Sequence, residues 1–203
     1  MKSIGLTGGI GSGKTTVSAY LKELGLPVFD ADAASRAAVK KGSGCLAEIV
    51  AFFGPECLLP DGELNRSWVA AKVFADPDLL RHYEKIVQDK VWEEAQRFLA
   101  EQRDRDMPLA VLDVPLLIEC GWHTKVDEVW LVKVSRAVQI RRAMQRDGTQ
   151  KEAVEARIKA QLPLEQKIPY AHRIIDNEGT PEDTRRQVRE GLAHMGNLLV
   201  TGA

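Results

Sequence analysis

Residues 8–15 read Gly-Gly-Ile-Gly-Ser-Gly-Lys-Thr and follow a short apolar run at residues 3–7. The octapeptide matches the pattern G-x-x-x-x-G-K-[ST] and lies between an expected strand and an expected helix. Phosphate oxygens need several donors that converge from one side, and glycines let backbone N–H groups approach them without side-chain clashes. This stretch, called the P-loop below, therefore predicts a nucleotide-binding protein with an α/β fold.

Individual residues of the P-loop have separate expected roles. Lys14 would lie along the β- and γ-phosphates of the nucleotide, and the Thr15 hydroxyl would take one position around Mg²⁺. We expect nine consecutive residues to contact the nucleotide: Gly8, Gly9, Ile10, Gly11, Ser12, Gly13, Lys14, Thr15 and Thr16. The loop alone does not distinguish a small-molecule kinase from a GTPase or a motor ATPase.

The composition is that of an ordinary globular protein. The 203 residues include 28 Lys plus Arg and 29 Asp plus Glu, so bulk nucleic-acid binding is disfavoured. The three cysteines form no Cys-x-x-Cys pair, which argues against a disulfide framework or a zinc site and favours a reducing compartment. Neither a secretion signal nor the roughly 20 apolar residues of a membrane span are visible. We expect a soluble, cytoplasmic protein without a membrane partner.

Short apolar runs and helical periodicity outline the fold. Buried parallel strands are predicted at residues 3–7, 27–29, 109–114 and 128–134, with a last short strand at residues 173–175. Helices are predicted at residues 15–24, 79–100 and 182–199, and further helical segments at residues 33–105 and 135–167. The first strand, helix and strand form a βαβ unit. The expected fold class is therefore α/β, a P-loop NTPase core with a parallel sheet flanked by helices.

Two carboxylates follow the second predicted strand. Asp30 and Asp32 would point to the same face of an extended segment, beyond the carboxyl end of a strand, where α/β sheets bind ligands. A carboxylate at such a position can accept the proton of an attacking hydroxyl, and we favour Asp32 for this role. The alternative for an Asp at a strand end is a helix N-cap.

The third apolar run ends in another acid. Asp113 follows Leu112 as an acid that holds a Mg²⁺-bound water would. The apolar residues 115–118 and Glu119 come next, and they either line a pocket for an organic acceptor or pack in the core.

An arginine-rich helix is predicted after the fourth strand. Arg142 and Arg146 lie one helical turn apart on one face. Two guanidinium groups on a mobile helix would neutralise the charge that develops on a transferred phosphoryl group. The alternative is a solvated basic face.

Further motifs occur in a fixed order along the chain. Residues 5–16 are followed by Asp30-Ala31-Asp32 with Ser35-Arg36, Phe53-Gly54, Gly62-Glu63-Leu64-Asn65-Arg66, Val73-Phe74, Asp113-Val114-Pro115-Leu116-Leu117-Ile118-Glu119, Arg142 with Arg146-Asp147, Arg157 with Gln161, and Ile175-Asp176-Asn177. In this order they resemble the dephospho-CoA kinase family over nearly the whole chain. Asp-Ala-Asp, Pro-Leu-Leu-x-Glu and the paired arginines are more specific than the P-loop, which many NTPases share.

The resemblance implies ATP-dependent phosphorylation of the ribose 3′-hydroxyl of dephospho-CoA, the last step of coenzyme A synthesis. It also implies a nucleotide-kinase-like core with a helical substrate-binding insertion and a lid. The corresponding division places the core at residues 1–32, 108–134 and 170–203, the CoA-binding insertion at residues 33–107 and the Arg-rich lid at residues 135–169. ATP is then the co-substrate and Mg²⁺ the metal.

The resemblance also implies roles for single residues. The catalytic set would be Asp32 as the base toward the 3′-hydroxyl, with Lys14, Arg142 and Arg146 on the phosphates. The residues expected to contact the acceptor are Asp32, Arg36, Arg66, Pro115, Leu116 and Glu119. Asn177 would lie near the adenine of ATP. Thr15 would bind Mg²⁺, with Asp113 acting through a water molecule.

Two short stretches depart from the family pattern. Gln88-Asp89 stands where the family usually has His-Pro, and Ala171-His172 stands where it usually has Ala-Asp. Within the kinases, a nucleoside or nucleotide kinase is the alternative. A GTPase switch would need Asn-Lys-x-Asp and a switch-type Asp-x-x-Gly, which the sequence lacks. An ATPase that binds nucleic acid through the Arg-rich helix is disfavoured by the neutral overall charge.

Overall fold

A computed structural model describes residues 1–196 of the 203. The strands are β1 Lys2–Gly8, β2 Val28–Asp30, β3 Leu109–Asp113, β4 Glu128–Lys133 and β5 Arg173–Asp176. The α-helices are α1 Lys14–Glu23, α2 Ala31–Ala38, α3 Gly44–Phe53, α4 Arg66–Ala75, α5 Pro77–Asp104, α6 Arg136–Asp147, α7 Lys151–Lys159, α8 Leu164–Lys167 and α9 Pro181–His194.

The strands form one sheet in the order β2-β3-β1-β4-β5. The pairs β1–β3, β1–β4 and β4–β5 are parallel. In the register of β1 with its neighbours, Leu6 pairs with Asp113 and Gly8 pairs with Val132. The carboxyl ends of the central strands therefore meet at one edge of the sheet. The predicted α/β fold class, a parallel sheet flanked by helices, is confirmed.

The chain divides into two compact units. The first contains Met1–Phe29 and the residues from Glu101 onward, and the second contains Asp30–Ala100. The core of the first unit includes Ile4, Leu6 and Trp130, all fully buried. Each fully buried side chain of this kind contributes roughly 1.5–3 kcal/mol relative to exposure.

The second unit is helical and has its own small core. Cys45, Ile49 and Cys57 are buried in it, and burial raises the pKa of both thiols. Side-chain caps define the starts of its helices, since the Ser43 hydroxyl accepts a hydrogen bond from the Leu46 N–H and the Asn65 side chain accepts one from the Trp68 N–H. Among the described residues, no helix has both the length and the apolar character that crossing a membrane requires.

Two predicted helical segments differ from the structure. Residues 135–167 are three helices rather than one run, because Gly148 ends α6 with φ 61° and residues 160–163 separate α7 from α8. The last helix was predicted at residues 182–199, but α9 ends at His194 and Gly196 has φ 130°. The predicted helical residues 197–199 lie outside the described part of the chain.

Candidate active site

The P-loop connects β1 to α1. A backbone hydrogen bond from the Ser12 N–H to the Gly9 carbonyl, 3.1 Å long, closes the turn. Gly13 is the N-cap residue of α1 and has φ 82°, a left-handed conformation that glycine adopts without strain. The N–H groups in the first turn of a helix and the positive end of the helix dipole both favour an anion at this position. All nine residues predicted to contact the nucleotide therefore lie between the end of β1 and the first turn of α1.

Side chains from other elements approach the glycines of the P-loop closely. A Cβ atom at Gly13 would clash with the amide nitrogen of Asn177, and one at Gly9 would lie 2.5 Å from the amide nitrogen of Gln139. Gln139 is on α6 and is buried. Gln139 could not be identified from the sequence, since a lone Gln in an Arg-rich helix carries no distinguishing pattern.

Lys14 and Asp113 form an ion pair beside the P-loop. Asp113 is the last residue of β3, and the register with Leu6 places it next to the end of β1. Its carboxylate accepts a hydrogen bond from the Lys14 ammonium, and the two side chains are 15% and 9% exposed. The structure thus brings together the predicted phosphate-binding lysine and the predicted metal-associated acid.

Some residues of the loop after β3 are buried and others are exposed. The Pro115 carbonyl in this loop accepts a hydrogen bond of 2.9 Å from the Thr7 hydroxyl. Leu117 and Ile118 are buried, whereas Leu116 is exposed. Leu117 and Ile118 therefore pack in the core, and contact of the acceptor with Leu116 stays a prediction.

Glu119, at the end of that loop, holds the segment that follows α7. One carboxylate oxygen of Glu119 accepts a hydrogen bond of 3.1 Å from the Leu162 N–H and lies 2.8 Å from the Lys167 ammonium. The Lys167 side chain is only 2% exposed. Gln161, just before Leu162, accepts a hydrogen bond of 3.2 Å from the Ile10 N–H in the P-loop.

The two arginines of the predicted lid have different partners. Arg142 donates a hydrogen bond of 3.0 Å to the Asn177 carbonyl. Arg146 donates two hydrogen bonds to the neighbouring carboxylate of Asp147, which also accepts one of 2.6 Å from Arg157. These bonds, the one from Arg146 foremost, hold the pKa of Asp147 well below its usual value, and the pKa of Arg146 is raised in turn.

Asn177 occupies a buried position between the P-loop and α9. Its amide nitrogen donates a hydrogen bond of 2.8 Å to the Ser12 carbonyl, and its amide oxygen accepts one of 2.8 Å from the Thr184 hydroxyl. Asn177 is 7% exposed and Thr184 is 3% exposed. Thr184 lies in the first turns of α9 and was not identified from the sequence, since a helical Thr carries no functional pattern.

The two neighbours of Asn177 in the chain, Asp176 and Glu178, bind residues at and just after the end of β4. Asp176 pairs with Lys133 at 2.5 Å, and Glu178 accepts hydrogen bonds from the Ser135 N–H and hydroxyl at 3.0 and 2.6 Å. These bonds lower the pKa of both acids. Residues 176–178 therefore link the N-terminus of α6 to the P-loop through hydrogen bonds.

The predicted acceptor residues of the second unit lie on helices. Asp30 ends β2 and caps α2, where its side chain accepts a hydrogen bond of 2.9 Å from the Ala33 N–H. The prediction that Asp30 and Asp32 share an extended segment is wrong, because α2 begins at Ala31. Asp32 is exposed in the first turn of α2, and Arg36 is exposed one turn later. Arg66 is exposed at the start of α4.

Comparisons with known proteins agree on one family. The family model described as dephospho-CoA kinase matches residues 2–183. A dephospho-CoA kinase of Geobacter sulfurreducens is 45% identical over 190 residues, which cover 94% of this chain and 96% of the relative.

Two solved structures have the same fold as this chain. One from Thermus thermophilus has a TM-score of 0.81 at 37% identity and covers 96% of this chain and 98% of that chain. A dephospho-CoA kinase from Campylobacter jejuni has a TM-score of 0.69 with the same coverage, and at 22% identity it supports the fold. The family predicted from the ordered motifs is confirmed. This chain belongs to the dephospho-CoA kinase family.

Proposed function

We propose that this protein transfers the γ-phosphoryl group of ATP to the ribose 3′-hydroxyl of dephospho-CoA and releases coenzyme A and ADP, the final step of coenzyme A synthesis. Family membership over residues 2–183 carries the proposal. It favours dephospho-CoA over a nucleoside or nucleotide as the acceptor. The P-loop, with Lys14 and Asp113 at its side, supplies the phosphate chemistry that the reaction needs.

ATP is held by its phosphates in this proposal. N–H groups of the P-loop and the start of α1 favour the negative charge. Lys14 exchanges the Asp113 carboxylate for phosphate oxygens when ATP binds. The Gln161 side chain, which accepts from the Ile10 N–H without a ligand, gives up that donor to phosphate. Asn177 lies near the adenine in this proposal. Its side chain bonds to Ser12 and Thr184 and its carbonyl bonds to Arg142, so it shapes the site through these protein groups.

Mg²⁺ fits the groups that the P-loop presents. Among the described residues, no cluster of three or more His, Cys, Asp or Glu side chains forms a protein cage for a metal. Mg²⁺ bound with ATP does not need such a cage, since phosphate oxygens and waters fill most of its positions. The Thr15 hydroxyl would bind it directly and Asp113 through water. When bound, the ion neutralises charge on the β- and γ-phosphates.

Asp32 is the proposed general base. Its carboxylate takes the proton of the 3′-hydroxyl as that oxygen attacks the γ-phosphorus and ADP leaves with the bonding electrons. Exposure of Asp32 on the first turn of α2 supports access to a substrate. Arg36 and Arg66, also exposed, would pair with phosphates of dephospho-CoA. Pro115, Leu116 and Glu119 complete the proposed acceptor contacts.

Arg142 and Arg146 are the proposed lid arginines. They would neutralise the charge that develops on the transferred phosphoryl group. We retain residues 135–169 as the lid and residues 33–107 as the acceptor-binding insertion. Exposure of Arg146, whose side chain is 59% accessible, supports a change of partner from Asp147 to phosphate when the lid closes.

We also propose that the protein works in the cytoplasm with small molecules as its partners. The three cysteines, Cys45, Cys57 and Cys120, form no disulfide bonds and suit a reducing compartment. The balance of 28 basic and 29 acidic residues favours a small acceptor over nucleic acid.

A mass-resolved phosphorylation assay with Mg-ATP tests the proposal. The acceptors are dephospho-CoA, adenosine, AMP and other nucleosides, each offered separately. We expect one added phosphate on dephospho-CoA alone, and transfer to a nucleoside instead would overturn the assignment. Asp32→Asn should reduce turnover sharply while ATP binding persists, whereas unchanged turnover would exclude Asp32 as the base.

A further inference from the structure

The amide of Asn177 has only one orientation that satisfies its neighbours. The Ser12 carbonyl is 2.8 Å away and can only accept, so the Asn177 amide nitrogen must face it. The amide oxygen then faces Thr184, whose hydroxyl has one proton to donate. That proton goes to Asn177 at 2.8 Å rather than to the Thr180 carbonyl at 3.4 Å, which lies beyond the usual O–H···O range.

This chain of hydrogen bonds ends at the peptide that precedes Gly13. Asn177 fills the space that a Cβ atom of Gly13 would occupy, so the amide sets the position of the P-loop as well as bonding to it. The Asn177 carbonyl also accepts from Arg142. The buried side chain of Asn177 therefore contacts the end of the P-loop, and the backbone carbonyl of Asn177 binds Arg142, a proposed lid arginine.

We propose that Thr184 is a positioning residue for phosphate binding. Its hydroxyl fixes the Asn177 amide, which holds the Ser12–Gly13 peptide in the conformation that presents the following N–H groups to an anion. Thr184 acts through Asn177 and touches no substrate. The proposal deepens the proposed function, on which it rests for the identity of the anion as ATP.

The hydroxyl rather than the bulk of Thr184 carries the effect. Thr184→Val keeps the shape and removes the donor, which leaves the buried amide oxygen of Asn177 without a partner. The amide is then free to reorient, and the Ser12 carbonyl loses its donor for part of the time. Thr184→Ser keeps the hydroxyl and serves as the matched control.

Hydrogen exchange without nucleotide tests whether Thr184 positions the P-loop, and it does not rely on any enzymatic activity. We expect Thr184→Val to raise amide exchange at residues 9–13 about tenfold, and Thr184→Ser to leave it within about twofold of the unaltered protein. Exchange in α3, which belongs to the other unit, is the internal control and should not change. Equal exchange at residues 9–13 in the Val and Ser variants would overturn the proposal.

ATP affinity supplies the functional readout. Because the P-loop of the Val variant must be ordered on binding, we expect calorimetry to show ATP binding weakened about tenfold, with the Ser variant unchanged. Dephospho-CoA is not needed, so failure of the proposed acceptor chemistry and failure of this inference give different results. Unaltered ATP affinity in Thr184→Val would count against the positioning role.

A double-mutant cycle tests whether Thr184 acts through Asn177. In an Asn177→Ala background, Thr184→Val should change ATP affinity and P-loop exchange by less than about twofold, because the intermediate amide is gone. An undiminished effect of Thr184→Val in that background would show that Thr184 acts by another route, and the proposal would fail. Thermal unfolding of each variant confirms that it is folded before these measurements.

Discussion

Lys14 and Asp113 bind each other across the beginning of the P-loop, with side chains 15% and 9% exposed. Lys14 opens α1 and Asp113 closes β3, so the pair joins the helix and the central strands at the carboxyl edge of the sheet. The Asp113 carboxylate lies beside the ammonium, where we propose that phosphate oxygens of ATP bind. Our proposal for ATP therefore predicts that Lys14 exchanges Asp113 for phosphate on binding.

Asp113→Asn should separate the two proposed effects of this carboxylate, which are competition with phosphate for Lys14 and support of Mg²⁺ binding. Without Mg²⁺, we expect ATP to bind about tenfold more tightly to the variant, since Lys14 has lost its competitor and a negative charge has been removed from the site. With Mg²⁺, the variant should gain less affinity than the unaltered protein. Calorimetry with and without a chelator measures both, and Asp104→Asn is an exposed control. An identical Mg²⁺ dependence in both proteins would contradict the role of Asp113.

Arg146→Ala tests the lid arginine against a neighbour on the same helix. If Arg146 stabilises the transferred phosphoryl group, the substitution should lower kcat about 10³-fold with a smaller change in the KM for ATP. Arg141→Ala removes an exposed charge of the same kind from α6 and should leave kcat within about twofold. Steady-state kinetics decides the matter, and equal effects of the two substitutions would mean that α6 acts only as a basic surface.

The fold was predictable because its signals are local. The P-loop spacing places β1 and α1, and the apolar runs at residues 109–114 and 128–134 place β3 and β4 with the correct ends to within one residue. The break at Gly148 was missed, since helical composition continues on both sides of it. The start of α2 was also missed because it immediately follows a strand of only three residues.

The site was only partly predictable because its contacts are distant in sequence. The motif identifies Lys14, and the strand end identifies Asp113, but nothing in the sequence says that the two side chains bind each other. Gln139 and Thr184 carry no motif, and their proximity to the P-loop follows from the arrangement of α6 and α9 around the sheet. Bonds such as that between Asn177 and Ser12, 165 residues apart, depend on the tertiary structure.

The cluster of Arg146, Asp147 and Arg157 should be insensitive to mild acid. The pKa of Asp147 is lowered from 3.8 by hydrogen bonds from Arg146 and then Arg157. A lowered folded-state pKa gives stabilisation that is complete above the unfolded value and is lost only as the pH falls through the folded value. Between pH 8 and pH 5 the carboxylate therefore stays charged.

Limited proteolysis with an ATP analogue measures this behaviour. Protection of residues 136–167 by the nucleotide should be equal at pH 8 and pH 5, with a protease active at both values. Asp147→Asn should weaken the protection at both pH values, because residue 147 then no longer pairs with Arg157 after Arg146 has moved to phosphate. Protection that disappears by pH 5 in the unaltered protein alone would contradict this role of Asp147.

Glu119 and Lys167 should act as a buried anchor for the end of the lid. Glu119→Gln leaves the Lys167 ammonium, 2% exposed, without its counter-charge, and we expect a loss of about 3 kcal/mol in the free energy of unfolding. Adding Lys167→Met should recover part of this loss. Urea unfolding of the single and double variants measures the energies, with Glu165→Gln as the exposed control. A double variant as unstable as Glu119→Gln alone would argue against the ion pair as the cause.

The position of the new phosphate on the product tests the proposed reaction most directly. Dephospho-CoA is incubated with Mg-ATP and the protein, and the product is examined by phosphorus NMR with proton correlation to the ribose. We predict a single new phosphomonoester coupled to the ribose 3′ hydrogen, with one ADP formed per product molecule. A phosphate at the 2′ position, or consumption of ATP without a new phosphomonoester, would contradict the proposed transfer to the 3′-hydroxyl.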